Sequence, residues 1–187
     1  CCERNGRLVF SNLSFDLNQG ECIELRGANG AGKSSLLRLV AGLVPKSAGE
    51  LSLNGSEDVA LNLHFIAHQD AMKTALSVSE NLQFWCDVLG GRSIEAALKA
   101  FQLEGLKDEP VQLLSAGQRR RLTLSRLFLA ERPLWLLDEP MTALDAASQD
   151  ILRNHIKTHL QSGGIVMVAT HGDLGFPPHH TLVLDAA

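Results

Sequence analysis

The sequence lacks three features that would point to particular classes of protein: a long apolar run, paired metal-binding cysteines and a broad basic cluster. None of its apolar runs approaches the roughly 20 residues that cross a bilayer, so we expect any connection to a membrane to go through a partner. Its four cysteines have no metal-like spacing to histidine, and we expect them to be free thiols of a cytosolic protein. The net charge of −4 and the scattered basic residues argue against nucleic acid as a ligand.

The composition is that of a folded domain. A content of 45% apolar residues excludes wholesale disorder, and 187 residues are enough for one hydrophobic core. The chain has no internal repeat, coiled-coil heptad pattern or low-complexity segment. We therefore expect residues 1–187 to form a single domain, with a helical subdomain at about residues 71–130.

The order of apolar and polar patterns predicts an α/β fold with a parallel sheet. Alternation in the first twenty residues predicts an N-terminal antiparallel β layer. The apolar runs at 134–138 and 165–169 predict strands that are buried on both faces, and a helix from about 146 to 161 lies between them. A capping-box pattern at 77–80 predicts a helix that ends at Gly90, in a stretch without strand signals. The sheet is thus predicted to be interrupted by a helical insert.

Residues 27–34 fit the phosphate-binding pattern Gly-x-x-x-x-Gly-Lys-[Ser/Thr] at every constrained position. A predicted strand at 21–26 precedes them and a predicted helix at 35–41 follows, as the motif requires. Lys33 is expected to reach the β- and γ-phosphates of a nucleoside triphosphate, and the Ser34 hydroxyl to bind Mg²⁺. A glycine-rich turn without a ligand is the alternative interpretation. The expected nucleotide contacts are Gly27, Ala28, Asn29, Gly30, Ala31, Gly32, Lys33, Ser34 and Ser35.

Two acidic residues, Asp138 and Glu139, stand at the end of a predicted apolar strand, where open α/β sheets bind their ligands. The Mg²⁺ of a bound triphosphate needs a carboxylate, and hydrolysis needs a base beside the attacking water. This pair supplies both groups. An ordinary pair of acids that ends a strand is the alternative.

A second helix start stands out at 114–118. Ser115 and Gln118 have the spacing of a capping box, which is the structural interpretation. A helix N-terminus with a serine hydroxyl and a glycine for close approach, here Gly117, is also an anion site. On the second interpretation, one chain carries two phosphate-binding helix ends.

Taken in order, these motifs resemble the ATP-binding cassette (ABC) superfamily over essentially the whole chain. The segments that carry the resemblance are the phosphate loop, Gln69, 114–118, 134–139, 143–145 and Thr170-His171. The resemblance implies the ABC ATPase fold, which is a P-loop NTPase core, and hydrolysis of ATP between two subunits arranged head to tail. Ser115, Gly117 and Gln118 of a second copy would close over the γ-phosphate that the first copy holds.

The resemblance also implies roles for single residues. Asp138 would organise Mg²⁺, Glu139 would polarise the attacking water, and His171 would contact the γ-phosphate. Gln69 would touch Mg²⁺ and the water, and would connect the nucleotide site to the helical subdomain and a membrane partner. Arg4 stands where the family usually stacks an aromatic residue on adenine, and its guanidinium plane can stack in the same way.

Within the superfamily, the details resemble the ATP-binding subunits of the bacterial cytochrome c maturation system. The segments that carry this resemblance are 67–74, 80–84, 112–121 and 163–166. It implies a peripheral protein on the cytoplasmic face of the inner membrane, bound to integral-membrane subunits of that system. Hydrolysis would power haem export or the release of a haem-loaded chaperone. The ATPase subunit of another small-molecule or drug exporter is the alternative, because it shares every catalytic motif.

No direct binding of haem is expected. The seven histidines show no Cys-x-x-Cys-His attachment pattern. His155 and His159 lie four residues apart on a predicted helix, which is a metal-like spacing, but we expect them to be exposed on a solvated face.

Overall fold

The computed structural model describes residues 1–4, 7–53, 55–56 and 58–185, without the side chains of residues 3, 4 and 7. The strands, in chain order, are β1 (Cys2–Arg4), β2 (Arg7–Phe10), β3 (Cys22–Arg26), β4 (Leu63–Ile66), β5 (Leu134–Asp138), β6 (Ile165–Ala169) and β7 (His180–Val183). The α-helices are α1 (Lys33–Val40), α2 (Val78–Leu89), α3 (Glu95–Ala100), α4 (Ala116–Ser125) and α5 (Ala146–Gln161). Short 3-10 helices lie at Ala60–Asn62, Glu104–Leu106, Val111–Leu113 and Arg126–Phe128.

Among the described residues, five strands form a parallel sheet in the order β4-β5-β6-β3-β7. The strands β1 and β2 form a separate antiparallel pair. The predicted parallel sheet and antiparallel layer are therefore confirmed. The layer is shorter than the alternating pattern predicts, since residues 13–17 do not form a strand.

The sheet is buried on both faces, which explains why β5 and β6 are continuous apolar runs. Alternate residues of each strand point to opposite faces and enter two separate cores. On one face, Leu36, Leu37 and Val40 of α1 pack in a core with Leu25, Leu136 and Met167. On the other, Leu152, Ile156 and Leu160 of α5 pack in a core with Leu137, Val166 and Val168, together with residues of α2, α3 and α4.

The segment between β4 and β5 is helical, and local sequence signals explain where its helices begin and end. Ser77 caps α2 by accepting the Glu80 N–H at 3.2 Å, and the Glu80 carboxylate accepts the Ser77 N–H at 2.7 Å. Gly90 ends this helix in the left-handed conformation. None of the helices in the described residues combines the length and the apolar character that a membrane span requires.

The topology brings the carboxyl ends of four adjacent strands to one edge of the sheet. The phosphate loop follows β3, His171 follows β6, Glu139 follows β5 and Gln69 follows β4. The pairing of Asp138 with Ala169 sets the two central strands in register at this edge. This is the edge at which parallel sheets bind ligands, and it holds the candidate active site.

Candidate active site

The phosphate loop is a tight turn between β3 and α1 that depends on glycine. Gly27, Gly30 and Gly32 have φ angles of 141°, 88° and 102°, which other residues rarely adopt. A Cβ atom at Gly27 would clash with the carbonyl oxygen of Leu184, and one at Gly32 would lie 2.8 Å from the side chain of Val9 in β2. The antiparallel layer therefore packs against the loop and helps to fix its shape.

The Lys33 side chain lies inside this loop. Its Nζ donates to the carbonyl oxygens of Gly27 at 2.7 Å and Ala28 at 3.1 Å, so the ammonium group is held over the turn. Lys33 is only 8% exposed. Ser34 is half-buried and Ser35 is buried in the first turn of α1. The loop and its lysine thus form one unit at the N-terminus of α1.

His171 joins the phosphate loop to the end of β5. Its Nε2 lies 3.1 Å from the Lys33 Nζ, 2.8 Å from the Asn29 Oδ1 and 3.7 Å from the Glu139 Oε1. The imidazole is about half exposed, with 52% of its side-chain surface accessible. The structure therefore brings together the lysine, the histidine and the acid that the sequence predicted as one site.

Asp138 is the last residue of β5 and is almost completely buried. Its Oδ2 has no hydrogen-bond partner among the described residues. Buried carboxylate oxygens are nearly always satisfied, because an unpartnered charged oxygen in the interior is costly. This oxygen lies at the ligand-binding edge of the sheet and is available to a cation.

Glu139 has an unusual backbone conformation. Its φ of 47° lies in the left-handed region, which non-glycine residues occupy at an energetic cost. Its N–H donates to the Ala169 carbonyl at 2.8 Å, and its own carbonyl accepts from Arg120 at 2.8 Å. This turn directs the chain away from β5 and leaves the carboxylate near His171, with 22% of the side chain exposed.

Gln69 lies in the exposed loop after β4, between Ala67 and Asp70. The Ala67 carbonyl and the Asp70 carboxylate both accept hydrogen bonds from Arg120, at 3.0 Å and 3.4 Å. Arg120 is a residue that motif analysis missed. Its signal in the sequence is its position in the basic run at 119–121, one helical turn before the buried Thr123 and Leu124.

The predicted capping box at the start of α4 is present. Ser115 Oγ accepts the Gln118 N–H at 3.2 Å, and Gln118 Oε1 accepts the Ser115 N–H at 2.8 Å. Gly117 packs close to the next loop, because a Cβ there would lie 3.1 Å from the Ala143 carbonyl oxygen. Within the described residues, no hydrogen bond joins this helix end to the phosphate loop of the same chain. The structure thus does not bring the two predicted anion sites together.

Two further sequence predictions have different outcomes. Arg4 lies in β1, but its side chain is outside the part of the chain that the structure describes, so its stacking on adenine stays a prediction.

The prediction of exposed histidines on α5 is wrong. His155 Nε2 lies 2.8 Å from the Ala100 carbonyl, and His159 stacks on Trp135 with ring centroids 3.9 Å apart. Both histidines are half-buried, and burial lowers the pKa of His159.

Comparisons with known proteins identify relatives over nearly the full chain. A family model described as ABC transporter matches residues 10–142. The cytochrome c biogenesis ATP-binding export protein CcmA of Bradyrhizobium diazoefficiens is 48% identical, and the match covers 93% of this chain and 90% of that protein. The protein of the same name from Nitrobacter winogradskyi is 47% identical, and the match covers 100% of this chain and 96% of that protein.

A solved structure described as the ATP-binding subunit of an ABC transporter has the same fold. Its TM-score is 0.82 at 24% identity, and the match covers 90% of this chain and 75% of that chain. The resemblance inferred from the motifs is therefore confirmed. The chain belongs to the ABC transporter family, in the group of the cytochrome c biogenesis ATP-binding export proteins.

Proposed function

We propose that this chain is the ATP-hydrolysing subunit of a membrane complex for cytochrome c maturation, and that hydrolysis powers haem export or the release of a haem-loaded chaperone. The observation that carries the proposal is 48% identity to a cytochrome c biogenesis ATP-binding export protein over 93% of this chain. The site geometry agrees with an ATPase, because lysine, histidine and two acids meet where the strands end.

The phosphates of ATP bind to the loop from Gly27 to Ser35 in this proposal. The free N–H groups at the start of α1 and the Lys33 ammonium attract the negative charge. The His171 Nε2 lies 2.8 Å from the Asn29 Oδ1 and 3.1 Å from the Lys33 Nζ, so the imidazole can contact a γ-phosphate that the lysine binds. Arg4 stacks on the adenine.

Mg²⁺ fits the residues at the end of β5. The buried Oδ2 of Asp138 is an oxygen of the kind that hard cations prefer, and Ser34 and Gln69 supply the other oxygens in this proposal. Bound Mg²⁺ would neutralise charge on the phosphate oxygens.

Glu139 is the general base of the proposed reaction. Its carboxylate accepts a proton of the attacking water while the water oxygen forms a bond to the γ-phosphorus and the bond from that phosphorus to the β,γ-bridging oxygen breaks, so that ADP and phosphate are released. The left-handed turn that follows β5 places this carboxylate beside His171, at 3.7 Å. His171 orients the γ-phosphate toward that water.

A second copy of the chain completes each site in our proposal. Ser115 and Ala116 at the start of α4 are exposed, and within the described residues this helix start forms no bond to the phosphate loop of its own chain. A head-to-tail dimer would place Ser115, Gly117 and Gln118 against the γ-phosphate bound by the partner. Each dimer would then hold two composite sites.

The membrane partner binds near the loop that follows Gln69 in this proposal. Phe84 and Val88 of α2 are exposed apolar residues, 39% and 59% accessible. The Trp85 indole donates to the Ala71 carbonyl at 3.1 Å, which ties α2 to that loop. We propose that residues 1–187 act as one nucleotide-binding domain whose helical subdomain, about 71–130, docks on integral-membrane subunits at the cytoplasmic face of the inner membrane.

The test is complementation of a bacterium that lacks this gene. The unchanged chain should restore covalent haem in c-type cytochromes, measured by haem staining, and should co-purify with the membrane subunits of cytochrome c maturation. Glu139→Gln should bind ATP within about threefold of the unchanged chain but lower turnover at least about a hundredfold, because the general base is lost. It should fail to complement.

Glu131→Gln is the matched control, because Glu131 is an exposed carboxylate before the other end of β5. It should complement fully. Normal cytochromes in the deletion strain, or co-purification with a drug exporter instead, would contradict the proposed function.

A further inference from the structure

Arg120 is a buried arginine that holds two loops of the active site. It is 3% exposed, and its position in α4 directs the guanidinium toward the carboxyl ends of β4 and β5. The polar atoms around it are backbone carbonyls of both loops and one carboxylate. Burial lowers its pKa, while the carboxylate of Asp70 opposes that shift.

One side of the guanidinium holds the turn that carries the general base. Nη2 donates to the carbonyls of Asp138 at 3.0 Å and Glu139 at 2.8 Å, and Nε donates to that of Pro140 at 3.4 Å. Three consecutive carbonyls therefore converge on one side chain. Because Glu139 is held at a φ of 47°, surrounding contacts have to keep it there against the preference of its backbone.

The other side holds the loop that contains Gln69. Nη1 donates to the Ala67 carbonyl at 3.0 Å and to the Asp70 carboxylate at 3.4 Å, so it binds residues on both sides of Gln69. The Thr123 hydroxyl, one turn further along α4, also donates to Asp70 at 2.7 Å. The loop is thus tied to the same helix at two points.

We propose that Arg120 is a positioning residue, which sets Glu139 and the Gln69 loop in register with each other and with the N-terminus of α4. The proposal rests on the functions proposed above for Glu139 and for the end of α4. Since Ser115 begins the same helix, Arg120 connects the general base of one composite site to the helix end that completes the other. A shift of α4 that accompanies nucleotide binding at one composite site is therefore transmitted through Arg120 to the general base of the other site.

A lysine at position 120 cannot make the same set of hydrogen bonds. The guanidinium is a planar fork with five N–H donors, whereas an ammonium group on a flexible stem cannot reach carbonyls on two loops at once. Arg120→Lys keeps the charge and most of the volume, so it should fold and still lose the register.

The test compares Arg120→Lys with Arg132→Lys in the complex with its membrane subunits. Arg132 also joins the helical segment to β5, because it donates to the Leu89 carbonyl at 2.9 Å. It precedes the N-terminal end of β5, whereas the candidate active site lies at the carboxyl end of that strand. Arg120→Lys should lower kcat about tenfold, as expected for losing one charge-assisted hydrogen bond, and leave ATP affinity within about threefold. Arg132→Lys should leave both within about twofold.

Epistasis separates positioning from a general loss of stability. In a Glu139→Gln background, Arg120→Lys should cause less than about threefold further loss in single-turnover hydrolysis, because the group it positions no longer acts. A full tenfold further loss there would overturn the proposal. So would equal losses of kcat in Arg120→Lys and Arg132→Lys.

Asp70→Ala is the second variant, and it carries the test if Arg120→Lys does not fold. It removes one acceptor and leaves the bonds to the turn at Glu139, so kcat should fall about threefold at unchanged ATP affinity. Unchanged kcat in Asp70→Ala would then overturn the inference. If Glu139→Gln itself keeps full turnover, the proposed function fails, and that result is distinct from a failure of Arg120 alone.

Discussion

The N-termini of α1 and α4 are both proposed to bind phosphate, yet their ends are built differently. Gly32 begins α1 in the left-handed conformation, and within the described residues no side chain caps this end. Ser115 begins α4 with a complete capping box. The first end keeps its N–H donors for a ligand, whereas the second satisfies some of its donors with its own side chains. We therefore expect the α1 end to supply most of the affinity for ATP, and the α4 end to complete the site.

Helix α2 shows what a purely structural cap looks like. It has the same capping box as α4, but its third residue is Glu80 where α4 has Gln118. A carboxylate in the first turn cancels the positive end of a helix, whereas an amide leaves it available to an anion. The residue at this one position therefore separates a structural cap from a candidate anion site.

The largest expected effect in this comparison follows from Lys33→Ala. The substitution removes the ammonium group that the phosphate loop holds at the α1 end. ATP affinity should fall on the order of a hundredfold, or about 3 kcal/mol, through loss of charge-assisted hydrogen bonds. Isothermal titration with Mg·ATP measures the effect. Lys46→Ala, at an exposed lysine, is the control and should bind normally. Equal affinities for the two variants would contradict the role of the loop.

A smaller effect is expected from Gln118→Glu, which gives α4 the cap of α2. The glutamate can still accept the Ser115 N–H, so the melting temperature should stay nearly unchanged. Turnover in the complex should fall about tenfold, because a carboxylate would face the γ-phosphate of the second copy. A phosphate-release assay measures it.

Glu80→Gln is the reverse substitution and should give the smallest effect. The Ser77 backbone N–H donates to the Glu80 carboxylate and lowers its pKa, so the ionised carboxylate takes part in the cap of α2. The melting temperature should fall slightly and turnover should not change. If Gln118→Glu were as neutral for turnover as Glu80→Gln, the α4 end would not meet phosphate.

Local patterns predicted most of the scaffold. The apolar runs of β5 and β6, the cap of α2 and the cap of α4 depend on residues close together in sequence, and all are present. Strand β7 was missed because it is largely exposed and has no apolar run. It is defined by its pairing with β3, which is distant in sequence.

Features that depend on tertiary packing could not be predicted. The left-handed φ of Glu139 and the five bonds of Arg120 arise only when β4, β5 and α4 come together. The histidines of α5 were assigned to the wrong environment for the same reason. Leu152, Ile156 and Leu160 mark the core face of that helix, and the face beside it meets Trp135 and the Ala100 carbonyl.

The most direct test of a site shared between two chains is a mixture of two inactive variants. Lys33→Ala removes the α1 side of every site it forms, and Ser115→Arg blocks the α4 side. A heterodimer of the two has one site with both sides intact. We expect an equal mixture to recover roughly a quarter of the unchanged activity per chain, because about half of the randomly formed dimers are heterodimers and each heterodimer has one working site out of two. A mixture no more active than the sum of the separate variants would contradict it.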